Sequence, residues 1–294
     1  MNKKIKNEIY SNRFVREIVY CLYKRFSSDT RWGKFRISCC KRLLELATYS
    51  IRHELKQSEE YYAKLDDEKM KGGESEDIVN FTCNGLDCRF YLPHARYDLI
   101  QGFIKQNHVF FENELLNHVK NKYLQPDMVY LDCGANIGNH TIFFLKAAAA
   151  KKIYAFEGNP DTYKILKHNI SINDNESHIL SYNCVLGEEE GKADIDIYDP
   201  FNLGCTSFQK AREGIDMYPL DSFDFKEKID FVKMDVERFE YHVLQGMKKI
   251  LEKDKPILWI EIFPENITKV EGVLHAFGYK KAESLEEDNY IYLA

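Results

Sequence analysis

A carboxylate and two glycines, Asp132, Gly134 and Gly138, crowd into Val129–Thr141 (VYLDCGANIGNHT), where an apolar run ends and a turn begins. Glycine lets the backbone turn tightly and approach a ligand, and a helix opening behind it presents unpaired N–H groups at the positive end of its dipole. Such a turn suits a pyrophosphate or an amino-acid carboxylate; the plain alternative is a structural turn with no ligand. Downstream, Ile153–Pro160 (IYAFEGNP) sets Glu157 at a strand end, followed by Asn159. A carboxylate there can accept hydrogen bonds from both hydroxyls of a ribose, unless it only caps the next helix. Because the turn reads D-x-G-A-N-x-G and lacks the pyrophosphate fingerprint G-x-G-x-x-G, the expectation moves from a nicotinamide dinucleotide to S-adenosylmethionine.

A second set of reactive side chains lies in Phe231–Glu240 (FVKMDVERFE) and at Glu261. These positions fall at the carboxyl ends of strand-like runs, where open α/β sheets bind ligands. Asp235 and Glu237 read as the polar rim of an acceptor site, one of them orienting an acceptor or taking its proton. In the alternative, Asp235 caps a helix while Glu237 and Glu240 pair with Arg238 or Lys233 on solvated surface. Lys233 interrupts an apolar strand, where an unpaired ammonium is costly, so it needs a carboxylate such as Glu261 or Asp235. An ion pair is the first reading of it, direct catalysis the second. His140, at the start of a helix, is either a base near neutral pH or incidental. Oxygen ligands of this kind suit Mg²⁺, but nothing in the spacing fixes a site and no metal is assigned.

Taken in order, Phe110–Leu116 (FFENELL), Leu131–Thr141, Phe156–Pro160, Ile229–Glu240 (IDFVKMDVERFE), Val243–Gly246 and Pro256–Ile262 resemble the motifs of the FkbM-type methyltransferases. The resemblance spans roughly residues 90–275 and leaves residues 1–75 uncovered. It implies a class I methyltransferase fold, an α/β Rossmann-like seven-stranded, mainly parallel sheet with helices on both faces. It also implies methyl transfer from S-adenosylmethionine to a hydroxyl, often of a sugar or polyketide-like molecule. Carried over by position, Asp132, Gly134, Ala135, Asn136 and Gly138 hold the methionine part, Glu157 and Asn159 flank the ribose, and Asn183 and Val185 border the adenine. Two positions depart from the pattern. Arg238 stands where the family has Gly in D-V-E-G-x-E, and Gly158 where it has Pro. A positive φ at 238 costs an arginine on the order of 1 kcal/mol; if the family glycine instead leaves room for substrate, Arg238 fills it. A non-catalytic relative would draw on that change. An NAD-dependent oxidoreductase would need the missing fingerprint and a Tyr/Lys or Cys catalytic set.

The elements that must carry these residues follow from periodicity. From Asp127 onward, Met128–Cys133, Lys152–Phe156, Ser177–Val185, Phe231–Asp235 and Ile257–Phe263 are apolar runs of strand length between helical or looped segments, which argues for βαβ units. Tyr279–Ser284 and Asn289–Leu293 close the chain as a hairpin. Ahead of them, Ile78–Leu92 alternates around Asn84–Gly85, a hairpin signal, and helices are expected at Tyr97–Gln106 and Glu112–Tyr123. Residues 7–56 carry helical periodicity, and Ser58–Asp77 is charged and lacks it, so residues 1–75 read as a helical extension and 76–294 as the methyltransferase domain.

Composition sets the frame. The 294 residues are 44% apolar and 30% charged, ordinary for a globular protein and unlike a disordered or collagenous one. Eight cysteines without a C-x-x-C pair suggest a reduced, cytoplasmic setting, and no apolar run is long enough to span a bilayer. The net charge of −6 hides an asymmetry, since residues 1–56 hold 14 Lys/Arg against 5 Asp/Glu and the remainder 27 against 42. An acidic body is a poor nucleic-acid surface. The basic helices suit packing on the body, self-association, or peripheral contact with an anionic inner membrane face. The expected partner is a small-molecule or glycan hydroxyl acceptor.

Overall fold

The computed structural model describes residues 77–294 except 84, 200, 201 and 287. The helices expected in residues 1–75, with the membrane and self-association readings built on them, lie outside the described residues. Described structure begins with the expected hairpin, β1 (Ile78–Cys83) antiparallel to β2 (Leu86–Tyr91), which turns at Gly85 with φ +77°. Helix α1 (Leu99–Asn107) starts where Asp98 accepts a hydrogen bond from the Gln101 N–H, and stops at left-handed His108. Helix α2 (Asn113–Tyr123) follows Glu112, itself left-handed at φ 56°.

Strand and helix then alternate through β3 (Val129–Cys133), α3 (Asn139–Ala147), β4 (Lys152–Glu157), α4 (Pro160–Asn173) and β5 (Ile179–Asn183). The apolar run expected as one strand over Ser177–Val185 is two, because β6 (Val185–Leu186) leaves the main sheet to pair with a later strand. β7 (Gly191–Ile197), β8 (Ser207–Ala211) and β9 (Ile215–Tyr218) complete with β6 a four-stranded sheet that the sequence reading passed over as loop. The chain returns through β10 (Phe231–Met234), α5 (Glu240–Gln245), α6 (Lys248–Lys253), β11 (Ile257–Glu261), α7 (Ile267–Ala276) and the hairpin β12 (Lys280–Ser284)–β13 (Asn289–Leu293).

The main sheet has seven strands in the order β12-β13-β11-β10-β3-β4-β5. The five from β11 to β5 run parallel, and β13 is antiparallel to both β11 and β12. Side chains alternate between faces along each strand. Tyr130, Phe231 and Trp259 therefore join the core formed with α1–α4, while Leu131, Val232 and Leu258 join the core formed with α5–α7. Buried on both sides, the strands read as continuous apolar runs. Since β4 and β5 extend the sheet to one side of β3 and β10 and β11 to the other, the connections reverse direction between β3 and β10. The crevice beyond the carboxyl ends of those two strands is where such a sheet takes its ligand.

Candidate active site

The glycine turn at the end of β3 is fixed by its neighbours. The N–H groups of Gly134 and Ala135 both donate to the Phe156 carbonyl, at 3.0 and 2.8 Å, and Gly138 N–H donates to the Ala135 carbonyl. Gly134 has φ +83°, and a Cβ there would lie 1.8 Å from the Asp235 carbonyl oxygen. Only glycine lets β3 and β10 end this close together. Gly138 (φ +94°) would press a Cβ to 2.9 Å from Leu166 of α4. Asp132 is 1% exposed, and its carboxylate accepts the Thr141 hydroxyl at 2.5 Å and so ties the strand to α3. Asn139 holds both the N–H and the carbonyl of Phe111, anchoring the segment that leads into α2.

Glu157 closes the turn from the side. One carboxylate oxygen accepts the Asn136 N–H at 2.8 Å and the other the Asn159 N–H at 2.7 Å. Burial outweighs these bonds and pushes its carboxyl up to about 7. Glu157 does not cap α4; Asn159 does, with its side chain accepting the Asp161 N–H. Asn183 donates to the carbonyls of Glu157 and Gly158 and so braces this turn. Val185 is buried against Gly158, where an added Cβ would meet the Val185 side chain at 3.0 Å and the ring of Phe208 at 2.6 Å. Phe208 from β8 thus takes the space that a larger residue at 158 would need.

Beside the turn lies a row of charge under α3. Lys233 stands in register with Asp132 on one side and Trp259 on the other. Its ammonium is 2% exposed, 3.5 Å from Asp235 and 5.1 Å from the centre of the Trp259 ring. The pairing required of a lysine in an apolar strand is therefore present. Burial alone would lower its pKa, but Asp235, Glu261, Glu112 and Asp132 together hold it above the usual lysine range. Burial and then the charge of Asp235 push the Glu261 carboxyl well above the ordinary range. Asp235 does not cap α5, whose preceding residue is Phe239. Glu240 lies at 1% exposure, off the solvated surface, with one oxygen accepting the Arg238 N–H and its carboxyl raised by burial to about 7.

His140 packs edge-on against Trp259 and lies 3.5 Å from Glu112. Burial works against ionisation of Glu112, but the hydrogen bond and charge of His140 outweigh it and lower its pKa. Glu112 stands inside the quoted Phe110–Leu116 motif, yet its role was not legible there because its partners are on β10 and α3. The structure thus gathers Asp132, His140, Lys233, Asp235 and Glu261 around one corner of the sheet, with Glu112 as a further member. Glu237 and Arg238 follow at φ 47° and 78°. The arginine sits in the left-handed geometry for which glycine is suited, and its guanidinium lies 4.5 Å from the centre of the Phe263 ring and 3.7 Å from Glu265.

The seven-stranded sheet with its reversal at β3 and β10, and a glycine turn flanked by a strand-end acid, make a Rossmann-like α/β fold. A model of the methyltransferase FkbM domain matches residues 132–281, and the chain belongs to that family. Among solved structures, the methyltransferase FkbM from Methylobacillus flagellatus KT is 15% identical with a TM-score of 0.43, the match covering 68% of this chain and 57% of that one. P. horikoshii TYW2 in complex with MeSAdo is 17% identical at TM-score 0.43, covering 76% and 71%. M. jannaschii TYW2 in complex with AdoMet is 18% identical at TM-score 0.40, covering 76% and 85%. This chain thus spans 57% of the length of the FkbM structure. No curated protein matches the sequence.

The crevice suits the methyl donor of this family. Its acid stands at a strand end, and the buried Asn136 side-chain oxygen accepts no hydrogen bond within the protein.

Proposed function

We propose that the chain transfers a methyl group to a hydroxyl oxygen of a polyhydroxylated acceptor, a sugar of a surface glycan or a related natural product. S-adenosylmethionine, when bound, supplies a methyl group activated by its positive sulfur. On this reading the turn Gly134–Gly138 holds the methionine part, Glu157 the ribose, and the Asn183–Val185 segment with Gly158 borders the adenine. The observation that carries the reading is the Lys233–Asp235–Glu261 corner at the carboxyl ends of β10 and β11, directly beside the glycine turn.

The chemistry of that corner is asymmetric. Asp235, anchored by the Lys233 ammonium, is an acceptor of fixed position that can orient a hydroxyl. Glu261, whose pKa is raised by burial and by Asp235, is when ionised a stronger base than an ordinary carboxylate, which suits it to take the proton. Alignment of acceptor and methyl carbon contributes the larger part of such a rate. The acidic rim favours neutral, hydroxyl-rich acceptors over phosphate-rich ones, in keeping with a partner other than nucleic acid. The basic residues 1–56 suit peripheral contact with anionic lipid or a second copy of the chain, and deleting them should abolish vesicle binding or self-association if either holds.

The test is methyl transfer from S-adenosylmethionine to a panel of glycans, with Asp235→Asn compared against the unaltered chain. We expect Asp235→Asn to bind S-adenosylhomocysteine normally and to turn over at least about tenfold more slowly. Unchanged turnover would remove Asp235 from the acceptor site, and binding without turnover on any hydroxyl acceptor would favour a non-catalytic binder.

A further inference from the structure

Residues 202–206, which lead into β8, and the start of β8 itself border the glycine turn and Gly158. At one end Asp98 accepts the Leu203 N–H at 2.9 Å while also capping α1, so the connection is pinned to that helix. Next along it, a Cβ on Gly204 would meet the side-chain oxygen of Asn202 at 3.1 Å, Ile100 at 3.1 Å and the side-chain nitrogen of Asn136 at 3.2 Å. The two asparagine amides therefore gather around Gly204, over the glycine turn. Burial, and after it the charges of Glu237, Asp199, Asp235 and Glu261, push the Cys205 thiol above its usual range. At the far end Phe208 fills the space over Gly158 beside Val185.

Within this wall two polar atoms are left over. The side-chain oxygens of Asn136 and Asn202 are both buried and accept no hydrogen bond. The Asn202 amide nitrogen donates to the Cys205 sulfur at 3.0 Å, which fixes the orientation of the amide and leaves its oxygen as the free end. A buried unmet acceptor costs on the order of 1–3 kcal/mol, and the Asn202 oxygen, which shares the surroundings of Gly204 with the Asn136 amide nitrogen, calls for a donor.

Resting on the S-adenosylmethionine reading of the crevice, we infer that Asn202 is a donor-binding residue supplied by the β7–β8 connection. Its oxygen takes the α-ammonium of the methionine part. An ammonium carries three donors and no acceptor, the complement of an orphaned carbonyl oxygen. The same residue makes the connection selective for ligands that keep the amino acid.

Calorimetry on the full chain with two probes tests this. S-adenosylhomocysteine carries the ammonium, and 5′-methylthioadenosine keeps the adenosine and sulfur without it. Asn202→Leu should weaken S-adenosylhomocysteine by about tenfold or more, the usual effect of losing a hydrogen bond to a charged group, and leave 5′-methylthioadenosine within about twofold. Asn202→Asp keeps an acceptor at the same place and should retain S-adenosylhomocysteine binding. If Asn202→Leu binds S-adenosylhomocysteine as the unaltered chain does, or loses both ligands equally, the assignment of Asn202 is overturned while the cofactor reading stands. If the unaltered chain binds neither probe, the cofactor reading falls and this assignment with it.

Discussion

Glu157 is a carboxyl that must be ionised to accept hydroxyl hydrogen bonds with all its lone pairs, yet burial pushes its pKa up to about 7, above the usual glutamate range. A ligand that favours the ionised form must then bind more tightly as pH rises toward 7 and level off above it, at most about tenfold per unit on the acid side. Calorimetric titration of S-adenosylhomocysteine from pH 5.5 to 8.5 should trace that curve, and Glu157→Gln should flatten it. A profile unchanged by the substitution would take the ribose away from Glu157. Arg238 poses a different question. Its left-handed backbone costs on the order of 1 kcal/mol relative to glycine, while stacking on Phe263 returns about 0.5–1 kcal/mol. Restoring glycine should therefore move the urea unfolding free energy by less than about 1 kcal/mol either way. A loss above about 2 kcal/mol would mean that the arginine holds the turn together, and a gain of that size that the backbone strain had been undervalued.

Where a helix meets a strand edge, α4 uses asparagines as substitutes for a neighbouring strand. Asn169, fully buried, accepts the Tyr91 N–H of β2 and donates to the Ile137 carbonyl in the glycine turn; Asn173 exchanges both bonds with the backbone of Arg89. The hairpin edge and the glycine turn are thus fastened to one helix. Replacing Asn169 with Leu keeps the volume and leaves two backbone groups unmet, so it should cost about 2 kcal/mol or more, read as a lower urea midpoint at unchanged slope. These asparagines could not be read from the chain, because an asparagine in a helix says nothing of a partner in a strand many residues earlier. What was legible follows the same rule. The hairpin of β1 and β2, α1, α2, the five parallel strands and the closing hairpin announce themselves by local period and turn chemistry, and the glycine turn and Glu157 by spacing. The sheet of β7–β9 escaped because Gly191–Ile197 and Ser207–Ala211 are polar, half-exposed strands whose pairing is their main stabiliser. Glu112, Asn202 and Phe208 escaped with it, each having its partners on other elements; the one local hint for Phe208 was a glycine at 158 where the family carries proline.

Across the whole molecule, the charge corner joins elements that share no local sequence: β3 through Asp132, β10 through Lys233 and Asp235, β11 through Glu261 and Trp259, and the start of α2 through Glu112. Lys233 is the cation common to all of them. Substituting it with Met keeps the stem's packing against Trp259 and leaves buried carboxylates without their counter-charge, a change that typically costs 3–5 kcal/mol. The pH dependence of that loss follows from proton binding. Without the ammonium, Asp132 and Glu261, both already raised by burial, move further above their unfolded values and Glu112 loses part of what lowers it, so the folded variant binds more protons than the unfolded chain over a wider range. A group shifted upward in this way destabilises progressively as pH rises from its unfolded toward its folded pKa. The gap in unfolding free energy between Lys233→Met and the unaltered chain should therefore be largest near pH 8 and shrink toward pH 5. Urea unfolding at a series of pH values measures it directly. A gap independent of pH would mean that Lys233 stabilises the sheet through its packing on Trp259 alone, with the four carboxylates balanced by other groups.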